Sequence, residues 1–338
     1  SLTNQSFTLK RPPLTYVSAP TPSGSASTLQ VEINGLEWQE APTLYGLTAT
    51  DNNYIVRLAD DGTPTITFGD PAARLKTGQQ NVTATYRTGI GLAGNVSAGS
   101  LSMLQSRPPG LRGVTNPLAA SGGADPQVQA DARTSAPLAV LTLDRIGSLD
   151  DSQRFTQAFA GVGKAQAVQV WGGHKQVVHI TVADAGGNTI NSTSPLYQVL
   201  VQGINRAHDP VQDFLVAGYQ SLVFNLTATI LVDEPTYQFD VVEAQVIAAI
   251  APAFSFANRA FGQSVTAAEL ITLIQSVAGV IATDLTQLYF TSDSTGPSQS
   301  EPPPFLIAQS ARWQGNTILP AQLLLVNPLG ISLGGMTS

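Results

Sequence analysis

The stretch that decides the fold runs from Asn81 to Asp125 and begins Asn81-Val-Thr-Ala-Thr-Tyr-Arg87, a strand-like run. It continues through Gly89-Ile-Gly-Leu-Ala-Gly-Asn95 and Thr115-Asn-Pro117, and it closes on Gly122-Gly-Ala-Asp125. Glycines and turn-forming residues separate short apolar runs, which indicates that the backbone is bent at defined places. No residue in the stretch is an obvious nucleophile, base or metal ligand. We therefore interpret the stretch, and the protein around it, as a scaffold.

The composition excludes several classes of function. The chain has 338 residues, of which 43% are hydrophobic, enough for about two domains with sizeable cores. Only 12% of the residues are charged, about half the usual share, which fits a surface that is buried in an assembly. The net charge is −7 and no basic block occurs, so we predict no nucleic-acid binding. Without cysteine there are no disulfides or thiolates, and no apolar run predicts insertion into a membrane.

Strand and helix signals alternate without the regular rhythm of a parallel sheet. The predicted fold class is α+β and multidomain, with a β-rich N-terminal part followed by mixed α/β modules that are ferredoxin-like or split βαβ. Asp60-Asp-Gly62, between strands at 54–59 and 64–68, is a strong hairpin signal in the β-rich part. The four predicted segments are an extended arm or linker at residues 1–27, a β-rich domain at 28–118, a helix pair plus β-hairpin domain at 119–193, and a C-terminal α+β domain with an apolar tail strand at 194–338.

Local signals place the main elements after residue 118. Asp125, Ser148 and Thr266 stand at helix N-cap positions, and Pro126 stands at a first helical position. Helices are predicted near 128–135, after Ser148, from 195, at 241–250 and at 266–277; strands are predicted at 164–171, 176–183, 222–232, 280–290 and 321–326.

The run Gly89-Ile-Gly91-Leu-Ala-Gly94 fits the spacing of a dinucleotide-binding loop and follows a strand. That loop also needs a following helix and an acidic residue about 20 positions further on. The next residues start a helix poorly, and no acidic residue occurs between Asp70 and Asp125. We interpret the run as a glycine-shaped turn and predict no cofactor.

The titratable residues give no sign of a reactive site. His174 and His179 stand at odd spacing, so on one strand they would point to opposite faces, and His208 is distant in sequence. No metal site is predicted from these three histidines. The pair Asp60 and Asp61 sits in a turn, where aspartate bonds its own backbone. We predict no catalytic residue and no enzymatic activity.

Aromatic residues cluster in the run from Ala253 to Gly262. Phe254, Phe256 and Phe261 either line a core or anchor a contact between subunits, with Arg259 as partner for a carboxylate. We take these four residues as a candidate interface. Gly122 and Gly123, where the composition shifts, are the candidate hinge.

Several short motifs occur together between about residues 55 and 290. They are Thr65-Ile-Thr-Phe-Gly-Asp70, Leu75-Lys-Thr-Gly78, the runs at 81–87 and 89–95, Val114-Thr-Asn-Pro117, Gly122-Gly-Ala-Asp125, Ala136-Pro137, Gly161-Val-Gly-Lys-Ala165, Phe254-Ser-Phe256, Arg259-Ala-Phe-Gly262 and Glu269-Leu-Ile271. Through them the chain resembles the baseplate J-like, or wedge, family of contractile phage tails and contractile injection systems. Pro71 and Lys76 depart from that pattern, where the family usually has Gly and Pro. The chain also lacks the family's usual N-terminal region, which suggests a fragment or a minimal member.

The resemblance implies a structural role without catalytic residues. Wedge subunits stand around the tail axis in sixfold symmetry and join the hub and spike to the sheath and to one another. The implied partners are a second wedge subunit, hub or spike proteins and sheath-proximal baseplate proteins, with six copies or a multiple of six per particle. Such a particle assembles in the bacterial cytoplasm and can be released when the cell lyses. On triggering, rigid modules joined at Gly122-Gly123 and at residues 188–194 would shift.

Two other function classes remain open from the sequence. One is a β-rich surface or carbohydrate-binding module, which would need exposed aromatic residues such as Trp38, Trp171 and Trp313 to come together. The other is an enzyme whose acid, base and nucleophile converge only in the folded chain.

Overall fold

The structure, a computed structural model, describes residues 4–21, 23–48, 50–69, 75, 77–106, 108–120, 122–126, 133, 145–292 and 302–336. Contacts group the chain into two compact units, Ser1–Val128 and Gln129–Ser338, called unit 1 and unit 2. The prediction of a multidomain α+β protein with a β-rich N-terminal part is confirmed. The helix predicted near 128–135 lies outside the described residues.

Unit 1 is built around a six-stranded sheet with the order β1-β7-β6-β5-β4-β8, beside a separate hairpin of β2 and β3. Apolar side chains alternate with polar ones along these strands, so one face of the sheet is buried. Val31, Trp38, Tyr54 and Ile66 lie in the resulting core. The strands are β1 Ser6–Thr8, β2 Tyr16–Ser18, β3 Ser25–Ser27, β4 Gln30–Ile33, β5 Leu36–Glu40, β6 Asn53–Leu58, β7 Pro64–Thr67 and β8 Val82–Thr85.

Residues 4–21 and 23–27, which belong to the predicted arm, take part in unit 1. Strand β1 pairs with β7, and the side chains of Leu9 and Leu14 are buried in the core. The Thr15 amide also donates to the Arg87 carbonyl at 3.0 Å. These residues are therefore packed in unit 1, and the Ser/Thr/Pro composition that indicated an arm reflects short strands and turns. The predicted segment boundaries at 27, 118 and 193 stay predictions.

The first module of unit 2 runs through α1 Leu149–Ala158, β9 Val162–Trp171, β10 Gln176–Asp184, α2 Pro195–Ala207 and β11 Phe214–Gly218. Ser148 caps α1 as the sequence predicted, in a capping box with Asp151, and Ser194 caps α2 ahead of Pro195. Strand β10 pairs antiparallel with β9 and parallel with β11, so β10-α2-β11 is a crossover between adjacent strands. The two helices pack on one sheet face, where Phe159 and Leu200 are buried.

The second module is a sheet with the order β14-β12-β18, packed against two helices. Its elements are β12 Gln220–Val232, α3 Phe239–Ala253, β13 Val265–Thr266, α4 Ala267–Gln275, β14 Val280–Phe290, β15 Phe305–Leu306, β16 Arg312–Gln314, β17 Thr317–Leu319 and β18 Gln322–Gly335. Strands β12 and β18 are parallel, and their register shifts between Phe224 and Leu226. This shift lets β18 continue past Pro328, so the strand is longer than the predicted 321–326. Helix α3 has 15 residues, and no described helix has the length and apolarity to cross a membrane.

Leu226→Ala is expected to lower the free energy of unfolding by about 3 kcal/mol, because the substitution leaves a cavity under helices α3 and α4. The matched control is Leu329→Ala, since Leu329 is 96% exposed and should change stability by less than about 0.5 kcal/mol. Urea unfolding of both variants measures the difference. Equal effects would contradict the placement of Leu226 in the core.

Candidate interaction surfaces

The predicted interface residues lie in the segment 254–262, the aromatic connector, which follows α3. The Phe254 ring is buried and contacts the Phe224 ring edge-on at 5.5 Å. Phe261 is buried against Tyr219, with ring centroids 5.5 Å apart. Phe256 is partly buried and packs over Gly187. All three rings thus contact residues of unit 2 itself.

Arg259 is buried, with 2% of its surface exposed. Its Nη1 donates to Glu269 Oε1 at 2.6 Å, and its Nη2 donates to the Ser264 carbonyl at 2.6 Å. The guanidinium also stacks 5.0 Å from the Phe254 ring centroid. The carboxylate predicted for Arg259 is therefore supplied by the same chain, from the first turn of α4.

The aromatic connector joins the two modules of unit 2. Gln166 on β9 donates to the Phe261 carbonyl at 3.1 Å, and Lys164 donates to the Ala257 carbonyl at 3.0 Å. The Lys164 ammonium also lies 5.2 Å from the Phe256 ring, and burial lowers its pKa. This is the packing expected of a core-lining connector. An interface through Phe254, Phe256, Arg259 and Phe261 stays a prediction that would require the connector to move.

The three histidines lie in different surroundings. His174 is exposed in the turn between β9 and β10, and the His208 ring packs on Phe214 at 4.9 Å. His179 is fully buried on β10, where Nδ1 is 3.3 Å from Thr181 Oγ1 and Nε2 has no described partner. Burial lowers the pKa of His179 to about 4, so it is neutral at neutral pH. Within the described residues, no group of three His, Asp or Glu side chains could hold a metal ion.

The glycine run of the deciding stretch forms a 3-10 turn at Gly91–Gly94. Gly91 has φ 60°, and a side chain there would collide with the Asp125 carboxylate. That carboxylate accepts a hydrogen bond from the Leu92 amide at 2.8 Å. The interpretation as a glycine-shaped turn agrees with this geometry, because Asp125 occupies the space that the turn leaves open.

Two asparagines hold the rest of the stretch in shape. Asn95 exchanges two hydrogen bonds with the backbone of Gly123, both at 2.9 Å. The Asn116 amide donates to the Ser97 and Leu118 carbonyls and accepts from the Leu101 amide. The motifs at 89–95, 114–117 and 122–125 are thus all held by side-chain hydrogen bonds to the backbone of the same segment.

The candidate hinge residues differ in freedom. Gly122 has φ 93° and open space around its Cα, whereas Gly123 is bonded to Asn95 on both its amide and its carbonyl. A hinge at Gly123 would have to break both bonds, so Gly122 is the freer of the two. The hinge role stays a prediction.

The surface that the sequence did not predict is the apolar loop, defined as residues 88–126. None of its described residues is buried. Ile90, Met103 and Leu118 are 74%, 90% and 79% exposed. The exposed large apolar side chains of the apolar loop are Ile90, Leu92, Leu101, Met103, Leu111, Val114 and Leu118. So many exposed large apolar side chains within one short segment favour a surface that another molecule covers.

The tryptophans do not form one platform. Trp38 is buried in the core of unit 1, while Trp171 is exposed at the end of β9. Trp313 packs against Gly173, in the turn that follows Trp171. Trp38 can therefore not contribute to an exposed aromatic face.

The fold and these surfaces define a multidomain β-rich protein whose most distinctive exposed feature is a contact surface. Residues 144–217 match the family model described as the Baseplate J-like central domain, and the match spans α1 to nearly all of β11. The resemblance to baseplate J-like proteins is therefore confirmed over residues 144–217, which are similar to the central domain of that family. A solved structure, the anti-feeding prophage (AFP) baseplate, 6-fold symmetrised, is similar at 13% identity and a TM-score of 0.42, over 96% of this chain and 73% of that one. No curated protein matches the sequence.

Arg259→Ala is expected to destabilise unit 2 by about 3 kcal/mol, because it removes a buried guanidinium with its carboxylate, carbonyl and ring partners. Arg154→Ala is the matched control, since Arg154 pairs with Asp150 on the surface of α1 and should cost less than about 1 kcal/mol. Urea denaturation gives both values. If the two substitutions cost the same, the buried ion pair does not hold the connector.

The low pKa of His179 predicts a dependence of stability on pH. The unfolded chain protonates this histidine near pH 6.5, whereas the folded chain does so only near pH 4. The contribution of the neutral His179 to the free energy of unfolding is therefore fully present above pH 6.5. It is lost as the pH falls towards 4, by up to roughly 3 kcal/mol. Urea unfolding midpoints at neutral pH and at about pH 5 measure this dependence. We expect His179→Gln to weaken the dependence, and His174→Gln, a substitution on the surface, to leave it unchanged. An unchanged pH profile in His179→Gln would contradict the assignment.

Proposed function

We propose that this protein is a structural wedge subunit in the baseplate of a contractile tail or injection machine. The observation that carries the proposal is the match of residues 144–217 to the Baseplate J-like central domain. The exposed apolar loop and the 12% share of charged residues support it, because both suit a chain that is largely enclosed by neighbours. In this role the protein acts by binding and not by catalysis.

The wedge would link the hub and spike to the sheath and to neighbouring wedges. Its partners would be a second wedge subunit and hub, spike and sheath-proximal baseplate proteins, in six copies or a multiple of six. Several moderate interfaces on each subunit would add up to a strong assembly, and rotational symmetry would close it. The particle would form in the bacterial cytoplasm and leave the cell on lysis, without nucleic-acid binding or membrane insertion by this chain.

Triggering would shift rigid parts of the wedge relative to one another. Within unit 2, residues 188–194 are a poor place for such a shift, because Thr189 forms a bridge with Ala183 and donates to the Tyr219 carbonyl at 3.1 Å. Gly122, with open space around it, is the better point.

Purified particles test the role. Quantitative mass spectrometry should find this chain at a fixed multiple of six per particle, counted against the sheath rings, and deletion of its gene should abolish sheathed particles. Supplying the deleted gene on a plasmid should restore the sheathed particles, which controls for polar effects of the deletion on neighbouring genes. Absence of the chain from particles, or a copy number unrelated to six, would overturn the proposal.

A further inference from the structure

We propose that the apolar loop of one copy docks on the β4–β5 hairpin of a second copy. The inference deepens the proposed function, and it rests on that function for the presence of several copies in one particle. Both surfaces belong to unit 1, and they differ from each other. The contact is therefore heterologous, which lets one copy bind the next around a ring.

The apolar loop has the composition of an interface centre. Residues 88–124 contain two arginines and no lysine, aspartate or glutamate, although the whole chain has a net charge of −7. Interface centres are enriched in apolar residues, Met and Arg and depleted of Lys, Glu and Asp. Arg112 is exposed among these apolar side chains and forms no ion pair with another described residue.

The β4–β5 hairpin offers the complementary chemistry. Asn34 and Gly35 form its two-residue turn, both with positive φ, at 54° and 76°. Glu32 and Glu37 stand directly opposite each other on the exposed face, and neither forms an ion pair with a described residue. Leu36, next in sequence to Glu37, is half exposed at the end of the hairpin, and its side chain lies on the other face of the strand, with Ile33 and Trp38.

The opposed glutamates give a reason for a cationic partner. Like charges directly across two strands disfavour the pairing, and neither carboxylate lies within 4.0 Å of a described lysine or arginine nitrogen. An arginine placed over both carboxylates would relieve the repulsion, and Arg can bind such oxygens with two hydrogen bonds. Arg112 brings that group on an apolar surface.

A second copy is the occupant that the charges favour. The chain supplies both halves of the contact: an apolar surface with arginine and no acid, and a hairpin with two acids. Opposite charges across an interface fix its register and exclude wrong partners. The same pairing therefore also determines which face of the neighbour the loop meets.

A charge-swap experiment on the full chain tests the contact. Sedimentation velocity over a concentration series should show self-association of the wild type, weakened at least about tenfold by Arg112→Glu and by Glu37→Arg. The double variant Arg112→Glu/Glu37→Arg should recover most of the association, because the two charges are exchanged and the pairing returns. Arg57→Glu, the same charge change on β6, should leave association unchanged, and circular dichroism checks that each variant is folded.

Disulfide cross-linking gives an independent readout, because the chain has no cysteine of its own. A mixture of Met103→Cys and Gln39→Cys chains should form a covalent heterodimer on mild oxidation, because Gln39 is exposed on the face that carries Glu37. Met103→Cys mixed with Leu58→Cys, which places the thiol at the far end of β6, should not. The inference is overturned if the wild type stays monomeric, if the double variant fails to recover, or if both mixtures cross-link alike.

The outcomes separate this inference from the proposed function. If particles hold six copies of the chain and the charge variants assemble normally, the proposed wedge function stands and this docking surface is wrong. If self-association follows the charge swap but the chain is absent from particles, the docking surface stands and the proposed wedge function is wrong. If Arg112→Glu releases a different baseplate protein and leaves self-association intact, that protein and not a second copy occupies the loop, and the inference fails.

Discussion

The apolar loop depends on hydrogen bonds from three side chains, Asn95, Asn116 and Asp125. A segment with no buried side chain has no core to offset the conformational entropy that ordering it costs. These side chains instead bond backbone groups within the loop, as Asn and Asp do in turns. Gly91 makes this possible, because a side chain at that position would displace the Asp125 carboxylate. The result is a loop that keeps a shape while its apolar side chains stay outside.

Unit 2 reaches a defined shape by burying polar groups. Arg259 and His179 lie in its interior, each with one nitrogen that has no described partner, Nε and Nε2 respectively. Burying such groups costs free energy unless they are bonded in one particular arrangement. Arg259 bonds Glu269 and Ser264 beside it in the chain, whereas the Ala321 amide donates to Thr181 Oγ1 at 3.1 Å and so joins the second module to β10 of the first.

Long elements could be predicted from the sequence, and short ones could not. Strands 222–232 and 280–290 carry many alternating apolar residues, so the pattern located both within a few residues. Strand β5 has only Trp38 on its buried side among charged neighbours, and β16 and β17 have three residues each, too few to show a period. For the aromatic connector, the sequence indicated packing but not which partner covers the rings. The apolar loop was missed because an apolar side chain predicts burial by default. Its signals were Asn and Asp beside glycine and the lack of acidic residues between 88 and 124.

An exposed apolar surface of this kind is a liability in a free chain, because it can associate with any other apolar surface. Two features of the loop limit that risk. Its backbone groups are bonded within the loop, so they are not open to strand pairing, and its arginines repel a second loop of the same kind. Repulsion between arginines disfavours a symmetric pair of loops, and the proposed contact with opposed carboxylates favours a different face of the neighbour. Repeated contacts between different faces generate either a closed ring or an open filament. The angle between successive copies then decides between the two, so the fixed shape of the loop, more than its hydrophobicity, sets the geometry of the assembly.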